Sequence, residues 1–416
     1  MRRGSIALAS ACAALILLAL LAGAAEAASS CALMKRYLAQ GTGGGGGLLV
    51  VDAESGDVVC SSAASTPRPL ASNMKLFTTS TALAKLGPET RIPTKVFASG
   101  TVDSSGVLDG NLYLQGGGDP TLGTPGFYDS YLAGLGTNIF ALTPQIKAAG
   151  ITAVTGRLYA DASVFDSLKG VKDSGYATSP YIGPLSGLAF NSGFAGQTSS
   201  SGFSASPAKL AATKLDRNLR AEGVNVPTQI ALGVTPASAK RVAIVESPTL
   251  TRIVNTTDVY SDNFFAEMLI KLLGARFGGA GTTAAGAAVV SAFARSLGSG
   301  VHAVDGSGLT RTNTASPQQV VDLLLGMRTQ PVYEQFLEDL AVAGKEGTVD
   351  ERMRGTPAYG NCHLKTGTLT GVSNLSGYCF NPSGRVMIFS ILMGSVPSTT
   401  QAHIDQDRIA GLVAAY

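Results

Sequence analysis

The period of the hydrophobic pattern changes along the chain, and the changes mark its elements. Residues 48–62, LLVVDAESGDVVCSS, set two apolar runs around the turn formers Glu54, Ser55, Gly56 and Asp57, which predicts a hairpin. SNMKLFTTSTALAKLG then carries apolar positions at helical spacing and predicts a helix from near Ser72 to a stop at Gly87-Pro88. From about Arg91 the texture turns to short strands: TKVFASG, then VLDGNLYLQGGGDPTL, a helical LTPQIKAAG, and the strand ITAVTGRLYA. Residues 166–205 are rich in Gly, Ser, Tyr and Pro and show little periodicity. A helix SPAKLAATKLDRNLRAEG and two strand-like runs, TQIALG and KRVAIVES, follow. After Ser247-Pro248 the pattern is helical through TLTRIVNTTDVYSDNFFAEMLIKLLG, AAGAAVVSAFARSLG and PQQVVDLLLGMRT. Three β-like runs, GNCHLKTGTLTG, VSNLSGYCF and RVMIFSILMG, and a helix from about Gln401 close the chain.

Two early strands, helices, and three late strands predict an α/β (α+β) fold. One sheet flanked by helices would be assembled from both ends of the chain. The middle then reads as an insertion: residues 28–90 and 247–416 form the main domain and 91–246 a smaller α/β domain within it. The glycine-rich GTGGGGG at 41–47 lacks the Gly-Lys-Ser/Thr of a phosphate loop and reads as a flexible entry to the domain.

The first residues change where the protein is expected to work. Arg2 and Arg3 precede an apolar run from about Ile6 to Leu21, and Ala25-Glu26-Ala27 gives a small-x-small cleavage site, so residues 1–27 read as a secretory signal peptide. The expected location is therefore the periplasm, the cell-wall space or the exterior, with no stable transmembrane anchor. With 45% hydrophobic and 14% charged residues the chain can build a sizeable core, and its net charge of +3 gives no basis for binding nucleic acid. Beyond residue 27 the cysteines are Cys31, Cys60, Cys362 and Cys379; proximity favours Cys31–Cys60 and Cys362–Cys379 among three possible pairings. No CxxC or HExxH occurs and there are only three histidines, so neither metal nor cofactor is expected.

Ser72-x-x-Lys75 is weak chemistry by itself, because Ser206-Pro207-Ala208-Lys209 has the same spacing and is explained by a serine N-cap with proline in the first turn. Two further triplets separate them, Ser261-Asp262-Asn263 and Lys365-Thr366-Gly367 on a predicted strand. In this order with SxxK they resemble the motif set of β-lactamases and penicillin-binding proteins, and that resemblance implies one site built from all three. Residues three apart share a helix face, so Lys75 can reach Ser72 and take its proton if its amine is neutral. Burial and the cation Lys365 would both lower its pKa. Ser261 can relay a proton to a leaving amine, and Asn263 can hold Lys75 or a substrate amide. Lys365, Thr366, Gly367 and Thr368 would bind a substrate carboxylate from a strand edge. The N–H groups of Ser72 and Thr368 would form an oxyanion hole. No Gly-x-Ser-x-Gly elbow is present; Asp305-Gly306-Ser307-Gly308 only imitates one. His302, His363 and His403 read as structural or surface residues.

Longer pieces narrow the resemblance: LASNMKLFTTSTAL, NLYLQGGGDPTL, GRLYADASVF, YSDNFFAEMLIKLLG, DGSGLTRTNTASPQQVVDLL, and VAGKEGTVDERMRG on to HLKTGTLTGVSNLSGY. Together they are similar to the D-alanyl-D-alanine carboxypeptidase/endopeptidase family, the low-molecular-mass class C penicillin-binding proteins. The resemblance implies a penicilloyl-serine transferase (β-lactamase/transpeptidase-like) domain, an antiparallel sheet flanked by helices, with an insert between SxxK and SDN. Residues 166–205 correspond to the family's innermost insert and read as an abbreviated third domain. It implies a serine D,D-peptidase that hydrolyses D-Ala–D-Ala, and D-Ala–diaminopimelate cross-links, in peptidoglycan stem peptides through an acyl-enzyme on Ser72, with β-lactams as covalent inhibitors. Family members also hold the diaminopimelate end through an Asp and an aromatic of the insert and an arginine near SGL[ST]R; the matching residues read as Asp161, Phe165 and Arg311. The alternatives are a β-lactamase, though no class A Glu-x-x-x-Asn loop for a deacylating water stands out between Lys75 and Ser261, and a non-catalytic penicillin-binding wall protein.

Overall fold

Apolar runs from the two ends of the chain pair into one six-stranded sheet. In this computed structural model, which describes residues 28–227 and 229–416, the order is Ala341–Val342, Cys362–Leu369, Val372–Phe380, Val386–Gly394, Gly46–Asp52, Val58–Ser62. Every pairing is antiparallel, as the family resemblance implied. The leader expected over 1–27 lies outside the described residues. The chain divides into two compact units. One holds this sheet and comprises the chain up to Pro69, Ala315–Leu325 and Ala341–Tyr416; the other comprises Leu70–Thr314 and Gly326–Leu340.

In the first unit the three central strands are buried along nearly their whole length, which is why Gly46–Asp52 and Val386–Gly394 read as nearly continuous apolar runs; Val372–Phe380 is buried as fully but carries the buried polar residues Ser373, Asn374 and Ser376. The helix Thr399–Ala415 covers Val372–Phe380 and Val386–Gly394, burying Ala402, Ile409, Ala410 and Val413. The glycine run is not a flexible entry. Residues 28–42 form a helix, and Gly46 and Gly47 already belong to the sheet. Arg68 lies over them, donating Nε to the Gly45 carbonyl (3.1 Å) and Nη2 to that of Gly46 (2.9 Å). A Cβ on Gly47 would come within 2.5 Å of this guanidinium, so close packing accounts for that glycine. Both favoured disulfides form. Cys31–Cys60 ties the 28–42 helix to the strand Val58–Ser62, and Cys362–Cys379 joins directly opposed residues of neighbouring strands.

In the second unit the helices Met74–Leu86, Leu250–Val259, Asn263–Phe277 and Thr283–Ser296 pack on one another. Met74 to Leu83 are all buried, so only the last turn of this helix, at Lys85, reaches solvent. Its run of buried hydroxyls survives because Thr79 and Thr81 donate to carbonyls one turn back (2.6 Å each) and Thr78 donates to Gly306 O (2.9 Å). The pattern from Thr249 to Gly274 predicted continuous helix, but the chain breaks at Tyr260–Asp262. Ser261 is left-handed (φ +58°), and the Asp262 carboxylate caps the next helix by accepting from Phe265 N (2.8 Å). The same unit contains a mixed sheet in the order Ile230–Leu232, Leu158–Asp161, Val107–Gln115, Pro93–Val102, Lys240–Glu246. Its core, including Val96, Leu112, Leu114, Leu158 and Ala243, is filled by Ile146 and by Leu215 and Leu219 of the helix Pro207–Ala221. Between Ala162 and Ser206 the only helical pieces are short 3-10 turns at Lys172–Ser174, Asn191–Gly193 and Ser199–Ser201. Among the described residues no helix is long and apolar enough to cross a membrane.

The two disulfides span 29 and 17 residues, so each is expected to contribute about 3 kcal/mol by restricting the unfolded chain. Cys31→Ser with Cys60→Ser should lower the urea-unfolding free energy by about that amount and leave the extent of penicillin labelling of the folded protein unchanged.

Candidate active site

Ser72 does not cap its helix. It sits in a 3-10 turn, Ala71–Asn73, entered through Ala71 in the left-handed region (φ +45°); Asn73 holds the cap position of Met74–Leu86 without a side-chain bond. The Ser72 Oγ instead accepts a hydrogen bond from Lys75 Nζ at 3.1 Å. The other SxxK behaves differently: Ser206 caps its helix by accepting from Lys209 N, with Pro207 in the first turn, as the sequence predicted.

Lys75 is fully buried, and its Nζ also donates to Asn263 Oδ1 (2.7 Å) and Ser307 O (3.0 Å). Burial lowers its pKa to about 8 against the opposing pull of Asp262, Asp258, Glu267 and Asp305. Within its own unit the charge effects on it come from these carboxylates, which favour the ammonium. At pH 7 about a tenth of Lys75 is neutral, against well under a thousandth for an ordinary lysine.

Asn263 owes its place to the break before Asn263–Phe277. Its Oδ1 faces Lys75, and its Nδ2 donates to Tyr181 O at 3.2 Å. Ser261 is half-buried beside it, with no hydrogen bond to its hydroxyl among the described residues. The structure thus brings Ser72, Lys75 and Asn263 into one network and sets Ser261 two residues from it.

The third partner of Lys75 was passed over in the sequence because Asp305-Gly306-Ser307-Gly308 was weighed only as a nucleophile elbow. The segment is a bracket behind the lysine. Glu267 Oε1 accepts from Gly306 N (3.0 Å) and Ser307 N (2.8 Å); Asp305 accepts from Gly308 N, Thr310 N and Asn313 Nδ2, each at 2.8 Å. Burial, reinforced by Asp305, raises the Glu267 carboxyl to about 8. The available signal was an acidic residue in the otherwise apolar stretch FFAEMLI.

Lys365, Thr366, Gly367 and Thr368 lie in the first unit on Cys362–Leu369, opposite Ser376, Leu375, Asn374 and Ser373. Lys365 is buried and donates to Thr366 O (3.2 Å); the Thr366 hydroxyl donates to Thr348 (2.9 Å); Thr368 is exposed. The neighbouring strand Ala341–Val342 pairs only with Leu364 and His363, so among the described residues no strand pairs with that edge of Lys365–Leu369.

The three proposed substrate contacts fare unequally. Asp161 is fully buried, and its carboxylate already accepts from Gln115, Ser163 N, and the N–H and hydroxyl of Thr235. Burial pushes its pKa up, but these bonds hold it below the usual carboxylate value. Phe165 is 6% exposed with its ring over Gly118. Both line a cleft of about 610 Å³, but their own side chains are occupied in packing. Arg311 is exposed, and its N–H donates to Asp173 Oδ2 at 3.1 Å. Asp173 and Tyr181, whose side chain is 74% exposed, are therefore the acid and aromatic tied to Arg311 and Asn263.

The chain matches the model of the D-Ala-D-Ala carboxypeptidase 3 (S13) family over residues 32–201 and 193–416. It is 30% identical to the D-alanyl-D-alanine carboxypeptidase of Actinomadura sp. (strain R39), covering 88% of this chain and 80% of that one. It is 29% identical to carboxypeptidase DacB of Mycolicibacterium smegmatis, with 85% and 77% covered. In fold it resembles the crystal structure of penicillin binding protein 4 (dacB) from Haemophilus influenzae, at a TM-score of 0.77 and 20% identity, over 91% of this chain and 99% of that one. The protein belongs to the D-Ala-D-Ala carboxypeptidase 3 (S13) family and is a serine D,D-peptidase acting on D-Ala–D-Ala termini of peptidoglycan, with β-lactams as its covalent inhibitors.

Proposed function

We propose that Ser72 is the nucleophile and Lys75 its base. The observation that carries this is the buried Lys75 amine, 3.1 Å from Ser72 Oγ and 2.7 Å from Asn263 Oδ1, with its pKa drawn down by burial. The neutral amine takes the Ser72 proton as Oγ attacks the carbonyl carbon between the two D-alanines. The tetrahedral intermediate collapses as the C–N bond breaks, and Ser261 passes a proton to the departing amine. D-alanine leaves, and water then hydrolyses the ester and restores Ser72. Lys365, Thr366, Gly367 and Thr368 bind the substrate's terminal carboxylate, and the strand edge at Thr366–Leu369, with which no described strand pairs, suits an extended peptide.

For the rest of the stem peptide we assign the diaminopimelate end to Arg311, Asp173 and Tyr181, in place of Asp161 and Phe165. The support is exposure: the first group presents polar atoms and a ring to solvent, whereas the second is spent on packing. The sheet of residues 93–246, with its own core, supports reading 91–246 as a domain inserted into the peptidase domain of 28–90 and 247–416. The 3-10 turns of 166–205 serve as its loop toward the site. Action on peptidoglycan places the enzyme in the cell-wall compartment, and residues 1–27 would direct it there.

Defined muropeptides, monomeric and cross-linked, read by mass spectrometry test the activity: D-alanine release from pentapeptide monomers is expected, and release of neither D-alanine nor monomer would refute it. Acylation by a fluorescent penicillin should rise about tenfold from pH 7 to 9 with a midpoint near 8, since only neutral Lys75 can accept the proton; Lys75→Ala should abolish it. Tyr181→Ala or Arg311→Ala should cut hydrolysis of diaminopimelate-containing peptides about tenfold or more while sparing penicillin acylation. Phe165→Ala should instead cost about 3–5 kcal/mol of stability.

A further inference from the structure

A lysine that acts as a base must aim a lone pair, and the aim is set by the groups that hold its remaining hydrogens. Protonated Lys75 has three N–H bonds and three acceptors: Ser72 Oγ, Asn263 Oδ1 and Ser307 O. The neutral amine keeps two N–H bonds. With those on Asn263 and Ser307, the lone pair is left pointing at the Ser72 hydroxyl. Two fixed acceptors therefore decide whether the base faces the nucleophile. Asn263 is fixed by its place at the start of Asn263–Phe277 and by its bond to Tyr181 O. The position of the Ser307 carbonyl has to come from elsewhere.

It comes from one turn further along the same helix. Glu267 is fully buried, and a single oxygen of its carboxyl accepts the N–H groups of both Gly306 and Ser307, so the peptide chain around Ser307 is held in position. Its other oxygen, Oε2, has no hydrogen-bond partner among the described residues. The bracket is tight on every side. A Cβ on Gly306 would come within 2.4 Å of Ala266 O, and Gly308, at φ +87°, lets the chain pass where a Cβ would lie 1.8 Å from Ala71 O, next to the nucleophile. The Gly306 carbonyl accepts from Thr78, one turn beyond Lys75. A rearrangement at Glu267 would thus be passed to Ser307 O and from there to Lys75.

We propose that Glu267 is a positioning residue for acylation: through the N–H groups of Gly306 and Ser307 it holds the Ser307 carbonyl that directs the Lys75 lone pair at Ser72. The inference rests on the reading of Lys75 as the base. Lys75 feels the charges of Asp262, Asp258, Glu267 and Asp305, and Glu267 those of Asp305 and Lys75. Ionised Glu267 favours the lysine ammonium, so removing that charge while keeping the acceptor has a defined sign: the Lys75 midpoint moves down.

Glu267→Gln, Glu267→Ala and Lys75→Ala, each verified as folded by near-UV circular dichroism and thermal melting, are compared by stopped-flow penicillin acylation from pH 6 to 10. Gln keeps an amide oxygen for both N–H groups. It should hold the plateau rate within about twofold of the parent and shift the midpoint downward by up to about one unit. Ala removes the acceptor and should lower the acylation rate constant about 10²-fold while changing the penicillin dissociation constant little. A folded Glu267→Ala that acylates at the parent rate overturns the proposal, as does a Glu267→Gln whose plateau falls as far as that of Glu267→Ala. Should Glu267→Ala not fold, Glu267→Met, which keeps the volume and loses the acceptor, takes its place with the same outcomes. Acylation surviving in Lys75→Ala would instead strike the underlying assignment of the base.

Discussion

The second unit is organised around keeping one amine dry. Lys75 is buried within a helix bundle, on a helix that reaches solvent only in its last turn, and every N–H of its ammonium form has an acceptor. Burial costs the charged form more than the neutral one, so the desolvation that makes a lysine an awkward core residue makes it a usable base. Four carboxylates oppose the shift. Raised pKa values on Asp262, Glu267 and Asp305 moderate that opposition, since a carboxyl kept neutral by the same burial pulls less on the lysine.

Several local irregularities follow from this requirement. Ala71 and Ser261 adopt left-handed backbone conformations just before the helices Met74–Leu86 and Asn263–Phe277, and Gly308 does so against Ala71. Strain of that kind persists only where surrounding packing over-determines it. Here it turns Ser72 toward the lysine ahead of the helix proper and breaks a long apolar run so that Asn263 opens a helix. The contrast with Ser206-Pro207-Ala208-Lys209 shows what the motif requires. Both serines lie at a helix start three residues before a lysine, but Ser206 spends its oxygen on a backbone N–H, and Ser72 presents its own to an amine.

The sheet was legible from the sequence because two of its central strands, Gly46–Asp52 and Val386–Gly394, are buried on both faces and carry nearly unbroken apolar runs. The pairing of the chain's two ends followed from the order of those runs, and the disulfides from proximity. The helix break at Ser261 was not legible: Asp262 and Asn263 are ordinary cap formers, and the apolar pattern continues through them. The glycine run misled because flexibility and close packing leave the same residue in the sequence; Arg68 and the helix over 28–42 decide between them. At the site, the SxxK and SDN triplets singled out Ser72, Lys75 and Asn263, which the structure joins in one hydrogen-bond network. Asp161 and Phe165 were chosen by likeness of residue type, which says nothing about whether a side chain is already committed. Ser307 acts through its backbone carbonyl, which no side-chain motif can reveal, and only Glu267 in an apolar stretch pointed toward it.

The account stands on the protonation of one side chain, and that can be observed without reference to turnover. Carbon-13 labelling of lysine side chains, with the Lys75 resonance assigned by its loss in Lys75→Ala, allows direct titration by NMR. A Lys75 midpoint near 8 is the predicted result. A midpoint above 10, with the amine fully charged throughout the neutral range, would contradict the role of Lys75 as the base.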